Sequence, residues 1–169
     1  MTTLSKDDSM NSLTAEELAY IAGLIDAECS MSVHKRQHKS INGSLYIGFS
    51  VTLDMTTTTP VLTEWLKSKV GGFTYHRPNP NIGWKQSYGW RLCGKETCKL
   101  LQKVRPYLVL KGERADVVIQ FPFGRRRPDY IEQKESLWKT MREFNTRGQH
   151  LAATTEFKRR ESVCDSLLS

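Results

Sequence analysis

The period of this chain changes twice from about 3.6 to two, and that switch restricts its fold more than any other feature. Thr14-Ala15-Glu16-Glu17 has the form of a capping box, in which the Thr14 hydroxyl takes the amide of Glu17 and Glu17 reaches back. The spacing predicts a helix from there to about Glu28, with Leu18, Ile21 and Ile25 on one apolar face. Ala19, Gly23 and Ala27 form a second stripe with almost no side chain, which lets another helix backbone come close. Gly23 costs that helix about 1 kcal/mol against Ala, so something must compensate it. From Ser30 the period is two: Ser32, His34, Arg36 and His38 share a side with Ser30, and Met31 and Val33 face the other. After Asn42-Gly43 the run Leu45 to Asp54 alternates again. Leu45, Ile47, Phe49, Val51 and Leu53 face one way, against Tyr46, Gly48, Ser50 and Thr52.

A second unit repeats the plan. Pro60 to Val70 reads as a helix with Leu62, Trp65, Leu66 and Val70 inward, ended by Gly71-Gly72. Phe73 and Tyr75 then alternate with Thr74 and His76. Beyond a turn rich in Pro, Asn and Gly, Trp84, Tyr88, Trp90 and Leu92 alternate with Lys85, Ser87 and Arg91. By that alternation the aromatic residues are core. Further helices are expected over about Lys95 to Val104, Lys111 to Phe121, Pro128 to Asn145 and Thr155 to Leu168. The expected class is α+β, in the order αββαββα. A four-stranded antiparallel sheet would be covered by helices on one face and open, polar and basic on the other.

The 169 residues amount to one domain, 13–169, behind a polar segment, 1–12. No apolar run reaches the ~18 residues of a membrane span. The first twelve residues lack the pattern of a signal peptide. Cysteines 29, 93, 98 and 164 form neither a CxxC pair nor a zinc-finger spacing and read as reduced thiols, which points to an intracellular protein. The formal net charge is +7. No Asp or Glu occurs between Cys29 and Leu53 or between Trp65 and Lys95, stretches that hold Lys35, Arg36, Lys39, Lys67, Lys69, Arg77, Lys85 and Arg91. Keeping acid out of whole segments is what a phosphate-binding surface requires; a run of solvated basic residues is the bland alternative.

Asp26 and Glu28 fall in the last helical turn, where the macrodipole disfavours carboxylates by about 0.3 kcal/mol or more each. A divalent cation would reverse that sign. Plain exposure, or backbone hydrogen bonds to Asp26, would equally account for them. His34 and His38 stand too far apart along a strand to share a zinc. Arg125-Arg126-Arg127 and Lys158-Arg159-Arg160 are as well read as solvated helix ends as phosphate contacts. Phosphate contact is expected in the loop carrying Asn145, Arg147 and His150.

Ile21-Ala22-Gly23-Leu24-Ile25-Asp26-Ala27-Glu28-Cys29 resembles the motif that names the LAGLIDADG homing endonucleases. The similarity extends over about residues 13 to 169, through the turn after Leu53, Gly71-Gly72, Pro106-Tyr107-Leu108-Val109-Leu110-Lys111 and the closing Ser162 to Leu167. It implies a site-specific endonuclease for double-stranded DNA that cuts with Mg²⁺, with Mn²⁺ or Ca²⁺ able to occupy the same site. Glu28 would be the catalytic metal ligand with the carbonyl of Ala27, Asp26 structural, and Lys111 an active-site lysine that orders water or offsets phosphate charge. Base-facing positions would be Ser32, His34, Arg36, His38, Tyr46, Ser50, Thr52, Thr74, His76, Arg77, Lys85, Ser87 and Arg91, with Arg147 beyond the sheet. The chain has one copy of the motif, so two-strand cleavage implies a homodimer, with Ala19, Ala22, Gly23, Asp26 and Ala27 at the interface and a nearly palindromic site. The resemblance also implies an intron-encoded protein, working in an organelle or in a bacterial or phage-infected cytoplasm. A non-cleaving DNA-binding protein or an RNA-splicing maturase of the same fold is the alternative. Two departures stand out: Cys29 replaces the last Gly of the motif, and Leu53 stands where relatives often have a polar residue.

Overall fold

The computed structural model describes residue 10 and residues 12–78, 81, 83–124 and 128–146. The expected Thr155–Leu168 helix, the runs at 125–127 and 158–160, and Arg147 and His150 lie outside the described residues.

Helix α1 (Ala15–Glu28) begins at the expected capping box: the Glu17 amide donates to Thr14 Oγ1 at 3.3 Å, and the Thr14 amide to Glu17 Oε2 at 3.1 Å. Ile21, Ala22 and Ile25 are its buried residues. The chain then passes without a loop into β1 (Cys29–Lys39), which pairs antiparallel along its whole length with β2 (Leu45–Thr57). Gly43, at φ 84°, sits in the five-residue connection. Helix α2 (Pro60–Val70) carries the chain over to β3 (Phe73–Arg77), and β4 (Ser87–Cys93) returns between β2 and β3. The sheet is antiparallel with order β1-β2-β4-β3. Helices α3 (Lys95–Val104), α4 (Gly112–Ile119) and α5 (Pro128–Asn145) follow, with a 3₁₀ turn at Arg105–Tyr107. The αββαββα order therefore stands, with further helices behind it. Among the described residues no helix is long and apolar enough to cross a membrane.

The core lies between the covered face of the sheet and the helices. Met31, Val33, Val51, Leu53, Met55, Trp90 and Leu92 come from the strands, and Ile21, Ile25, Leu66, Leu100, Leu101 and Val118 from the helices. Removing a side chain of this kind costs about 2–5 kcal/mol. Gly72 is where α2 is pressed against β4: at φ 86°, a Cβ there would fall 2.5 Å from the Arg91 carbonyl oxygen. The Trp90 indole closes this corner by donating to the Gly71 carbonyl at 2.8 Å.

The structure corrects several expectations. The apolar side of β2 is fully core only from Val51 onward: Phe49 is partly buried against the core, and Leu45 and Ile47, beyond the reach of the helices among the described residues, are exposed. Trp84 is 65% exposed, and with Lys85 it precedes β4 rather than continuing its alternation. Ala22 is fully buried in the chain's own core, so it leaves the contact stripe assigned to it.

Candidate functional site

Cross-strand register decides which side chains share the open face. Ser32, His34, Arg36 and His38 on β1 stand opposite Thr52, Ser50, Gly48 and Tyr46, as expected. The same face continues through Asp54 and Thr56 on β2 to Arg91, Gly89 and Ser87 on β4. From there register places Phe73, Tyr75 and Arg77 of β3 on it, opposite Arg91, Gly89 and Ser87. Thr74 and His76 pair with Trp90 and Tyr88 and lie on the covered side, where the Thr74 hydroxyl donates to Glu64 of α2 at 2.9 Å. Their expected place on the open face is therefore reversed. The cause is Gly89, the only residue in its row without a side chain. The Tyr75 ring lies directly over it, and a Cβ at Gly89 would fall 2.1 Å from the Tyr75 Cζ.

Asp54 is a site residue that the sequence reading missed. Tyr75 donates its hydroxyl proton to Asp54 Oδ1 at 2.8 Å, and Arg91 is ion-paired to Oδ2 through Nε and Nη2. Elsewhere on the face His34 shares a hydrogen bond with Thr52 at 3.0 Å. Burial, with Arg36 and Arg91 nearby, lowers the His34 pKa from 6.5. The His38 ring stacks on Tyr46 at 5.2 Å. Lys35, counted with the phosphate-binding bases, is on the covered side: it is bonded to Glu135 of α5 at 2.7 Å and lies over the Trp138 ring at 4.8 Å. Asn145 donates to the Met31 carbonyl at 3.1 Å rather than standing free.

The end of α1 is built around two reciprocal sets of bonds with residues 109–111. Asp26 accepts the backbone amides of Val109 at 2.7 Å, Leu110 at 3.1 Å and Lys111 at 2.9 Å. Both oxygens of Asp26 are thus engaged by backbone amides of the chain itself. In return Lys111 Nζ donates to the carbonyls of Ile25 at 2.8 Å and Cys29 at 2.7 Å. The helix has no base in its own last turn, and Lys111 supplies the cation its C-terminal dipole calls for. Burial lowers the Lys111 pKa from 10.5. Cys29 is extended, at φ −86° and ψ 144°, a conformation open to any residue, so the loss of the motif's last Gly leaves no backbone strain there. Its thiol is buried and pushed up to about 12, chiefly by desolvation. Leu53 is fully buried and belongs to the core.

Glu28 is exposed at this helix end, and no hydrogen bond or ion pair holds its carboxylate among the described residues. The Ala27 carbonyl lies in the same turn, where helix carbonyls lack intrahelical donors. Two such oxygens suit a hard divalent cation such as Mg²⁺. No group of three His, Cys, Asp or Glu among the described residues closes around a metal. A metal held at these two oxygens would need further oxygens from elsewhere. Ala19, Gly23 and Ala27 are all exposed along the same helix, and a Cβ on Gly23 would meet nothing within 4 Å.

No protein-family model and no curated protein matches the sequence. Solved structures do. The homing endonuclease I-CvuI in complex with the I-CreI target superposes with a TM-score of 0.65 at 20% identity, over 79% of this chain and 83% of that one. The same enzyme with its own target, in the presence of Ca, gives 0.62 over the same shares, also at 20% identity. An archaeal intron-encoded homing endonuclease, I-Vdi141I, complexed with DNA, gives 0.58 at 17% identity, over 79% and 86%. The chain has the LAGLIDADG homing-endonuclease fold.

Proposed function

We propose that two copies of this chain form a metal-dependent endonuclease that cuts double-stranded DNA at a long, nearly palindromic site. The observation that carries the reading is the unengaged Glu28 carboxylate at the end of an exposed small-residue helix stripe, held in place by Asp26 and Lys111. The stripe of Ala19, Gly23 and Ala27 lets the same helix of a second copy approach closely. A Glu28 from each copy then supplies one carboxylate per strand to be cut.

Ser32, His34, Arg36, His38, Tyr46, Ser50 and Thr52 would face the major groove, with Arg77, Ser87 and Arg91 beside them; the sheet's polar side chains offer the donors and acceptors that base edges match. Glu28 and the Ala27 carbonyl would hold a divalent cation: Mg²⁺ would supply Lewis-acid activation of water and stabilisation of the leaving oxygen, and Mn²⁺ or Ca²⁺ would fit the same oxygens. Lys111 spends two of its three N–H donors on carbonyls and keeps one for a water or a phosphate oxygen. Its charge offsets phosphate at the cutting site, and its fixed place orients the donor. On this reading the protein acts inside the cell and spreads the intron that encodes it.

A non-cleaving binder or maturase is the second reading, favoured by Leu53, which is core where a water-holding polar residue would otherwise stand. Selection from randomised duplexes with Mg²⁺ separates the two. One near-palindrome in the cleaved pool of wild type, absent for Glu28→Gln, supports the nuclease. The same sequence bound by both proteins and cut by neither supports the binder.

A further inference from the structure

The Asp54–Arg91–Tyr75 cluster turns an arginine on the open face into an oriented fork. Arg91 gives the side edge of its guanidinium, Nε and Nη2, to one oxygen of Asp54. The other oxygen is taken by the Tyr75 hydroxyl at 2.8 Å. The guanidinium carbon lies 5.4 Å from the Tyr75 ring centre, and that ring rests on Gly89, so the arginine is bounded on two sides. Asp54 is largely covered, its side chain 16% exposed, whereas Arg91 is 39% exposed. The holder is shielded and the held group faces out. Among the described residues nothing takes the end of the fork: Nη1 and the second proton of Nη2, two parallel N–H donors.

We infer that Arg91, oriented by Asp54 and Tyr75, reads one guanine in each half-site of the DNA through O6 and N7. Three properties favour this over a phosphate contact or another base. A guanidinium already paired with a carboxylate gains little from phosphate, because its charge is compensated. Two parallel donors match guanine's two major-groove acceptors and no other base edge. Asp54 has both oxygens engaged and its side chain is only 16% exposed, so it presents little to a cytosine amine. Asp54 and Tyr75 act through Arg91 and are positioning residues.

The inference rests on the DNA-binding reading above, and its test separates the two. Full-length protein is used to select from randomised duplexes in Ca²⁺, which keeps bound DNA uncut. Wild type is expected to enrich guanine at one symmetric position per half-site. Arg91→Lys keeps the charge and the pairing with Asp54 but loses the fork. It should lower guanine preference at that position by about 5- to 150-fold, the range of one bidentate base contact, and leave the other positions unchanged. Asp54→Asn and Tyr75→Phe should lower it at the same position by less, and they provide the test should Arg91→Lys fail to fold. An unchanged guanine preference in the folded variants overturns the inference. So does uniform weakening with a shallower salt dependence, which would make Arg91 a phosphate contact. If wild type enriches no sequence at all, the DNA-binding reading fails with it.

Discussion

Replacing Asp26 by Asn tests whether this carboxylate holds the end of the helix together. It accepts three amides, from Val109 at 2.7 Å and Leu110 at 3.1 Å on one oxygen and from Lys111 at 2.9 Å on the other. An asparagine has one acceptor and one donor on the same skeleton. With its NH₂ toward Val109 and Leu110 it loses two bonds; flipped, it loses the one to Lys111. The flip is cheaper, so the floor is one lost bond to a charged acceptor, about 1.5–3 kcal/mol. The remaining two bonds weaken from charged to neutral, and the partial exposure of the site limits the total to about 2–4 kcal/mol. With a urea m-value of about 2 kcal/mol/M, the midpoint should fall by about 1–2 M with m unchanged. Equilibrium urea unfolding, at one fixed protein concentration because a dimer's stability depends on it, measures this directly. A loss below about 0.5 kcal/mol would refute the reasoning and mean that water replaces the carboxylate at these amides.

Three further outcomes are expected. Gly23→Leu should leave the isolated fold intact, since no atom stands within 4 Å of a Cβ there, and should even gain about 1 kcal/mol of helix propensity; sedimentation velocity should show it shifted from dimer to monomer. Gly89→Ala should destabilise by about 1–3 kcal/mol, because the Tyr75 ring must leave its place; equal stability in a thermal melt would contradict the assignment of β3's faces. His34 is held below 6.5 by burial first and then by Arg36 and Arg91. The unfolded chain therefore binds the proton first, and stability should fall as pH drops from 6.5 toward the lower folded value, then level off. Unfolding midpoints across that range should flatten in His34→Gln.

Much of the fold was legible because its signals are local. The Thr14 capping box, the alternation on both sides of Asn42-Gly43 and the Gly71-Gly72 stop each depend on neighbours in sequence, and each stands in the structure. Errors arose wherever the deciding partner lay far along the chain. Acid-free segments are not acid-free in space: Lys35 meets Glu135, Lys69 meets Glu17, and Arg91 meets Asp54. The aromatic residues of β3 were taken as inward because apolar side chains usually are. Gly89 was the visible hint that a large ring could instead lie on the open side. The electrical cost of acids at the end of α1 was readable, but its remedy is Lys111, more than eighty residues away. The sequence allowed for backbone hydrogen bonds to Asp26, but that their donors are Val109, Leu110 and Lys111 follows only from the fold.

Among the described residues the hairpin of β1 and β2 reaches past the helices, so Leu45, Ile47, Arg36 and His38 are exposed there and outside the core. Surface substitutions of this kind usually change stability by no more than about 0.5 kcal/mol. The hairpin tip can therefore accept new side chains in succession while α1, residues 109–111 and Glu28 stay as they are. Mutational drift is nearly free at the tip and expensive at the helix end. If the chain reads DNA as proposed, a lineage built on this plan could exchange one recognition sequence for another without passing through an unfolded intermediate, and its specificity would be the property most readily evolved.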